Sequence, residues 1–145
     1  MRSVTGNYFE SKVRLEKVTE DGTQAKFNEL FTVNAMSFTE CEAKVMKYVP
    51  QYASGEFEVL TEKRAKYNEI FYSDKPDESL WYGVTLEFIT INEKTMKEKR
   101  SKIAYLVQGS SVESARKNVE EVMKGTTIDY RILGLNETVV QDIID

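Results

Sequence analysis

Between residues 9 and 16 the side chains alternate in character: Phe9, Ser11, Val13 and Leu15 share one parity, and Glu10, Lys12, Arg14 and Glu16 share the other. A two-residue period sends successive side chains to opposite faces, so this stretch predicts a half-buried strand. The polar run from Thr19 to Thr23 contains Asp21-Gly22, a pair suited to tight hairpin turns, and a second alternating run carries Phe27, Phe31 and Val33. The chain is therefore expected to open with a β-hairpin.

The period then changes. Ser37 and Glu40 have the spacing of a capping box, and Phe38, Cys41, Val45, Tyr48 and Val49 recur at helical intervals until Pro50, which ends the run. After Gly55 alternation resumes through Phe57, Val59, Ala65, Tyr67 and Phe71, which predicts one long bent strand or two consecutive ones.

Beyond the loop-like stretch Ser73 to Ser79 the whole pattern starts over. Tyr82, Val84, Leu86 and Phe88 repeat the first strand, with Tyr82 73 residues after Phe9, and Tyr105 and Val107 follow Phe31 and Val33 by 74. Val112, Ala115, Val119, Val122 and Met123 stand 74 residues after the five apolar positions of the first helix, with Gly125 placed to cap the second. Tyr130 and Ile132 follow Phe57 and Val59 by 73. Any two amphipathic stretches with this order of elements would align to some degree, but the offset is nearly constant across four elements. The reading is one compact domain, residues 1–145, of two ββαβ repeats, 7–72 and 80–140, joined by loop 73–79. The fold class is α+β, a tandem pseudo-twofold repeat with both helices on one face of an antiparallel sheet, which leaves the other face for function.

Composition narrows the chemistry by subtraction. The 145 residues hold no histidine and one cysteine, Cys41, so a Ser-His-Asp triad, a Cys-His dyad, a His or Cys zinc site and an internal disulfide are all unavailable. Cys41 lies on the apolar stripe of the first helix and reads as a core thiol. Carboxylates are plentiful but none pairs off: Glu40 reads as a cap and Glu120-Glu121 as helix surface. Seven glycines form no phosphate-cradling loop, and no acidic cluster suggests a metal. No enzyme, cofactor or metal is expected. No apolar run approaches the roughly 18 residues of a membrane span and no apolar leader follows Met1, so a cytosolic protein without membrane contact is the expectation.

The helix-free parity presents bases and rings together: Tyr8, Lys12, Arg14, Arg64, Lys66, Trp81, Arg100 and Lys102 are the candidate binding residues, with Lys26, Arg131 and Leu133 beside them. Interleaved cations and aromatics suit a single-stranded nucleic acid, where charges track phosphates and rings stack on bases. The same alternation of Lys, Arg and Glu also serves as an ordinary solvated sheet face or as edge protection. The net charge of −4 and pI near 5.1 argue against a dedicated nucleic-acid binder, although the sum hides its distribution. Part of the acidity sits at the end of the chain, where Glu137, Asp142 and Asp145 flank Val139-Val140 and Ile143-Ile144. That stretch reads as a docking tail or as a last strand or turn closing the sheet.

The runs Tyr8 to Arg14, Ala35 to Ala43, Gly55 to Phe57, Ala65 to Phe71, and Met123 to Thr126 before Asp129-Tyr130 resemble an uncharacterised family of short proteins from gut bacteria and their phages, a domain of unknown function. The resemblance covers nearly the whole chain, implies a phage or mobile-element setting, and assigns no catalytic or ligand residue. Two functions follow as expectations. One is a non-enzymatic protein binding single-stranded nucleic acid through the helix-free face. The alternative is an anti-defence protein that sequesters a nucleotide-like host signal or blocks a host protein. A homo-oligomer is compatible with both.

Overall fold

The opening alternation does form a hairpin. In the computed structural model, which describes residues 1–145, β1 (Arg2–Thr5) is followed by β2 (Tyr8–Val18) and β3 (Gln24–Asn34), the latter two paired antiparallel along their full length. Their turn places Gly22 at φ 84°, in the left-handed region where a side chain would be strained, and Thr19 N–H donates to the Thr23 carbonyl at 2.7 Å. Helix α1 (Phe38–Tyr48) starts at Ser37, whose side chain accepts from Glu40 N–H. Glu40 reaches back one residue further than a capping box requires and accepts from Met36 N–H at 2.8 Å. A 3-10 turn over Val49–Gln51, with Pro50 inside it, ends the helix.

The remaining elements are β4 (Phe57–Arg64), β5 (Glu69–Tyr72), β6 (Leu80–Ile91), β7 (Glu98–Gly109), α2 (Val112–Lys124), β8 (Asp129–Glu137) and β9 (Val140–Ile144). The expected antiparallel sheet with both helices on one face is corrected. The chain is α+β, but it forms two sheets, each mixed and each carrying one helix. One unit, residues 6–66 and 139–145, has strand order β4-β2-β3-β9 and holds α1; the other, residues 1–5 and 67–138, has order β1-β5-β7-β6-β8 and holds α2. The parallel pairs are β3 with β9 and β5 with β7. Short apolar segments such as Ile70-Phe71 and Ile143-Ile144 carry no mark of which strand edge they join, so their parallel pairing was invisible to alternation.

In the four-stranded unit the core under α1 is the predicted parity: Phe9, Val13, Leu15, Phe31 and Val33 pack with Cys41, Val45 and Val49, all fully buried. Phe38 stands at the rim, 46% exposed, with its ring edge-on to Phe9 at 4.9 Å. In the five-stranded unit Val84, Leu86, Tyr105 and Val107 pack against Val119 and Met123 of α2, while Val112, expected in the core, is 51% exposed in the first turn of the helix. Gly125 does cap α2, at an ordinary helical φ of −75°. The C-terminal stretch is a strand, β9.

Two β-bulges decide which side chains reach which face. Along β2 the partners pass from Thr61 opposite Lys12 to Val59 opposite Val13, so Leu60 is the extra residue in β4. Along β6 they pass from Gly134 opposite Thr85 to Ile132 opposite Leu86, so Leu133 is the extra residue in β8. A bulge inserts one residue and reverses parity beyond it.

Candidate nucleic-acid interface

The reversal at Leu60 places Arg64 directly across from Phe9, on the helix side of its sheet. Its guanidinium lies 5.2 Å from the Phe9 ring centre and 5.7 Å from that of Phe38, so it covers the rim of the α1 core. Arg64 is thereby corrected from the helix-free face, and Lys63 takes that place, paired with Glu10 at 3.4 Å. Lys66 follows the end of β4, exposed. Lys12 and Arg14 do lie on the helix-free face and are exposed; Arg14 Nε donates to Asn28 Oδ1 at 3.3 Å across the β2–β3 pair. A cavity of about 100 Å³ beside them is lined by Arg14 and Lys26 together with Glu16, Glu56 and Glu58, three carboxylates against two cations.

The two rings assigned to stacking are corrected as well. Tyr8 and Trp81 are each only 4% exposed. The centre of the helix-free face is buried in both sheets, with Thr32 in one and Ile70 and Leu106 in the other fully inaccessible. Trp81 meets Tyr72 edge-on at 5.3 Å, and the Arg2 guanidinium covers the Tyr72 ring at 4.4 Å. An exposed platform of bases and rings on one parity presupposed a face open to solvent along its whole length, and alternation cannot report that.

What the five-stranded unit does present is a cationic end. Glu87 is 8% exposed, and its Oε1 accepts from Arg100 Nη1 at 3.1 Å and from Arg131 Nε at 3.0 Å. Arg100 also reaches Glu98 Oε2 at 3.3 Å, and those two carboxylates raise its already high pKa. Lys102 stands opposite Glu87 in the β6–β7 register and is exposed. Arg100 and Lys102 are thus brought together as expected. Trp81 is not with them: eight residues along β6 from Ile89, the partner of Arg100, it lies roughly 25 Å away.

From Thr90 outward β6 and β7 have only each other as neighbours, because the β8 pairing stops at Ile89 and the β5 pairing with β7 begins at Tyr105. This free ribbon ends in a loop set by Asn92, whose N–H donates to the Lys97 carbonyl at 3.0 Å and whose Oδ1 accepts from Lys94 N–H at 3.0 Å. Every residue from Thr90 to Lys102 is exposed. Across 89–102 there are five Lys or Arg against two Glu, in a chain whose total charge is −4. None of the ion pairs engages Lys94, Lys97, Lys99 or Lys102. The basic run at 97–102 was legible in the sequence; Lys94 and the tip were not, because the hairpin that joins them has no glycine to mark its turn.

The start of α2 offers a second polar recess, of about 240 Å³, with Ser110, Ser111, Ser114, Lys75 and Lys117 around it. Several of its polar groups are engaged within the protein, although no ion pair holds Lys75 or Lys117. Asn118 Nδ2 donates to Glu78 Oε2 at 3.1 Å and to the Gln108 carbonyl at 2.9 Å, Ser73 donates to Glu78 Oε1 at 2.6 Å, and Ser114 Oγ accepts from Ser110 and Ser111 N–H. Burial opposes the Glu78 charge, but the donors outweigh it and hold the pKa below the usual carboxylate range. Asp77 and Glu113 add further negative charge at the rim. Cys41 is fully buried, and burial, with Glu62 and Glu42 nearby, pushes its thiol up to about 11. No helix is long and apolar enough to cross a membrane, and no group of carboxylates and Cys41 is arranged to hold a metal ion.

A protein-family model described only as a domain of unknown function matches residues 7–145. No curated protein and no solved structure matches the chain.

Proposed function

The chain belongs to the family described as Domain of unknown function (DUF4494), and since that description assigns no activity, we propose from the geometry that it is a non-enzymatic binder of nucleic acid acting through phosphate contacts. The observation that carries this reading is the set of exposed lysines at the cationic end of β6 and β7, four of them without an ion pair, in a protein that is acidic overall. Charge distributed in this way attracts a polyanion locally while the rest of the surface keeps other partners off. Arg100 and Arg131, steadied by Glu87, form the fixed part of the surface. Lys12 and Arg14 add cations on the other sheet.

Because Tyr8 and Trp81 are buried, the reading rests on electrostatics and not on base stacking. Sequestration of a nucleotide-like signal, the alternative, has less support: Asn118 and Ser114 of the recess at α2 are engaged within the protein, and Asp77, Glu78 and Glu113 outnumber Lys75 and Lys117 around it. The phage or mobile-element setting implied by the sequence resemblance belongs with the proposal, as does the duplication of a ββαβ unit. Supporting the duplication, β2-β3-α1-β4 and β6-β7-α2-β8 have the same order and pairing, each second strand gains a parallel neighbour, and the bulges at Leu60 and Leu133 stand 73 residues apart.

The test is fluorescence anisotropy of the whole chain with labelled DNA and RNA oligonucleotides at about 50 and 200 mM salt, where phosphate-led binding weakens steeply. Affinity at low salt that falls across this range supports the reading. No affinity for any oligonucleotide at the lower salt removes it.

A further inference from the structure

The tip of the β6–β7 ribbon carries something that binding to phosphates does not need. Ile91 is 61% exposed and Met96 is 76% exposed, two large apolar side chains in solvent at the end of a ribbon whose other residues there are polar. Met96 also holds the left-handed backbone, φ 55°, where glycine or asparagine is the usual occupant. A methionine there is conformationally disfavoured, and at that exposure it receives little packing in return. Local stability would favour glycine, so the side chain itself is the feature to explain.

We infer that the ribbon is a double-stranded DNA arm: its lysines follow the phosphates of a groove and the apolar tip, Met96 with Ile91, wedges against a base step and bends the duplex. This rests on the nucleic-acid reading above and adds the form of the ligand. Three observations favour DNA over other partners for the tip. Lys94, Lys97 and Lys99 lie within five residues of Met96 or Ile91 and lack carboxylate partners, and lysine is depleted from the cores of protein–protein interfaces. A two-stranded ribbon fits a B-form groove, whereas the deep, narrow major groove of duplex RNA does not admit one. Apolar side chains flanked by cations are what groove-binding proteins insert between base pairs, separating a stack so that the bent duplex meets more protein.

The wedge separates two properties that a merely structural residue would lose together. Met96→Gly relieves the left-handed backbone, so its melting temperature should equal or exceed that of the parent, while Ile91→Ser alters an exposed side chain. The experiment measures the parent chain, the double variant Ile91→Ser/Met96→Gly and the triple variant Lys94→Gln/Lys97→Gln/Lys99→Gln by anisotropy on one labelled sequence as duplex and as single strand. Energy transfer between dyes at the two ends of the duplex is read in parallel, with a thermal melt of each protein. The parent should bind the duplex more tightly than the strand and shorten the end-to-end distance. The double variant should lose about tenfold in duplex affinity and the bend, with the salt slope unchanged. The triple variant should lose affinity for both forms and flatten the slope by about 0.9 for each duplex phosphate it no longer neutralises.

Duplex affinity and end-to-end distance unaltered in the double variant would overturn the wedge while leaving nucleic-acid binding in place. Tighter binding of the single strand than of the duplex would overturn the duplex assignment. Absence of binding to either form at low salt would remove the underlying reading itself.

Discussion

Ser11 and Glu62 face each other across the β2–β4 pair on the side covered by α1, and neither Ser11 Oγ nor Glu62 Oε1 has a hydrogen-bond partner. Burial and the neighbouring Glu42 raise the Glu62 pKa above the ordinary carboxylate value. With a raised folded pKa the native state holds its proton to higher pH than the unfolded chain does. This group therefore costs stability as pH climbs from the ordinary carboxylate pKa through the raised one, and the loss persists above it. Glu62→Gln should melt at a higher temperature than the parent at neutral pH. The difference should close below the ordinary carboxylate pKa, and thermal melts at several pH values would show whether it does.

The two helices should be equally indispensable to their own units. Val45 is fully buried under α1 and Val119 is 1% exposed under α2. Each truncation to Ala should cost about 1–3 kcal/mol through lost transfer energy and the cavity left behind. Denaturant unfolding monitored by circular dichroism gives both values, and a cost near zero at either position would contradict the packing described.

How far these elements were legible in the sequence depends on what alternation can and cannot encode. Phe9 to Leu15, the turn at Asp21-Gly22, and the stripes of both helices were readable because each element declares its own period. Arg64 was misplaced because one extra residue, Leu60, reverses every side chain after it, and a bulge leaves no mark in a two-letter pattern. Trp81 and Tyr8 lie on the expected parity but are not exposed, because a side chain on the polar parity can still be buried. The exposure of Arg100 and Lys102 was legible because charge near a hairpin end is exposed in almost any arrangement. Glu87, which joins Arg100 to Arg131, was not singled out, since a buried carboxylate reads like any other Glu on a strand.

Glu87→Gln tests that carboxylate from both sides. Removing the charge takes the shared anion from Arg100 and Arg131, whose side chains are half-exposed, so stability should fall by about 0.5–1 kcal/mol. The same change adds one net positive charge at the cationic end. Affinity for nucleic acid at low salt should rise even as the melting temperature falls, and the two measurements on one protein separate folding from binding.

Arg64 and Lys99 make a paired contrast. Arg64→Ala should destabilise by roughly 0.5–1 kcal/mol, because the guanidinium lies over two rings, and should leave the salt slope of nucleic-acid binding alone. Lys99→Gln should do the reverse: no change in unfolding and a slope shallower by about 0.9 on duplex DNA. A flattened slope for Arg64→Ala would return that side chain to the binding surface.

The route of the chain sets a timetable for its synthesis. Residues 6–66 are made early, yet the outer edge of β3 lacks its parallel neighbour until β9, residues 140–144, has been added. A ribosome that has produced two thirds of the chain therefore carries a sheet with its Phe31 and Val33 strand unguarded on one side, open to the wrong partner. Deletion of residues 140–144 would leave that edge bare permanently, so the damage from removing a segment made late would fall on the part of the protein made first.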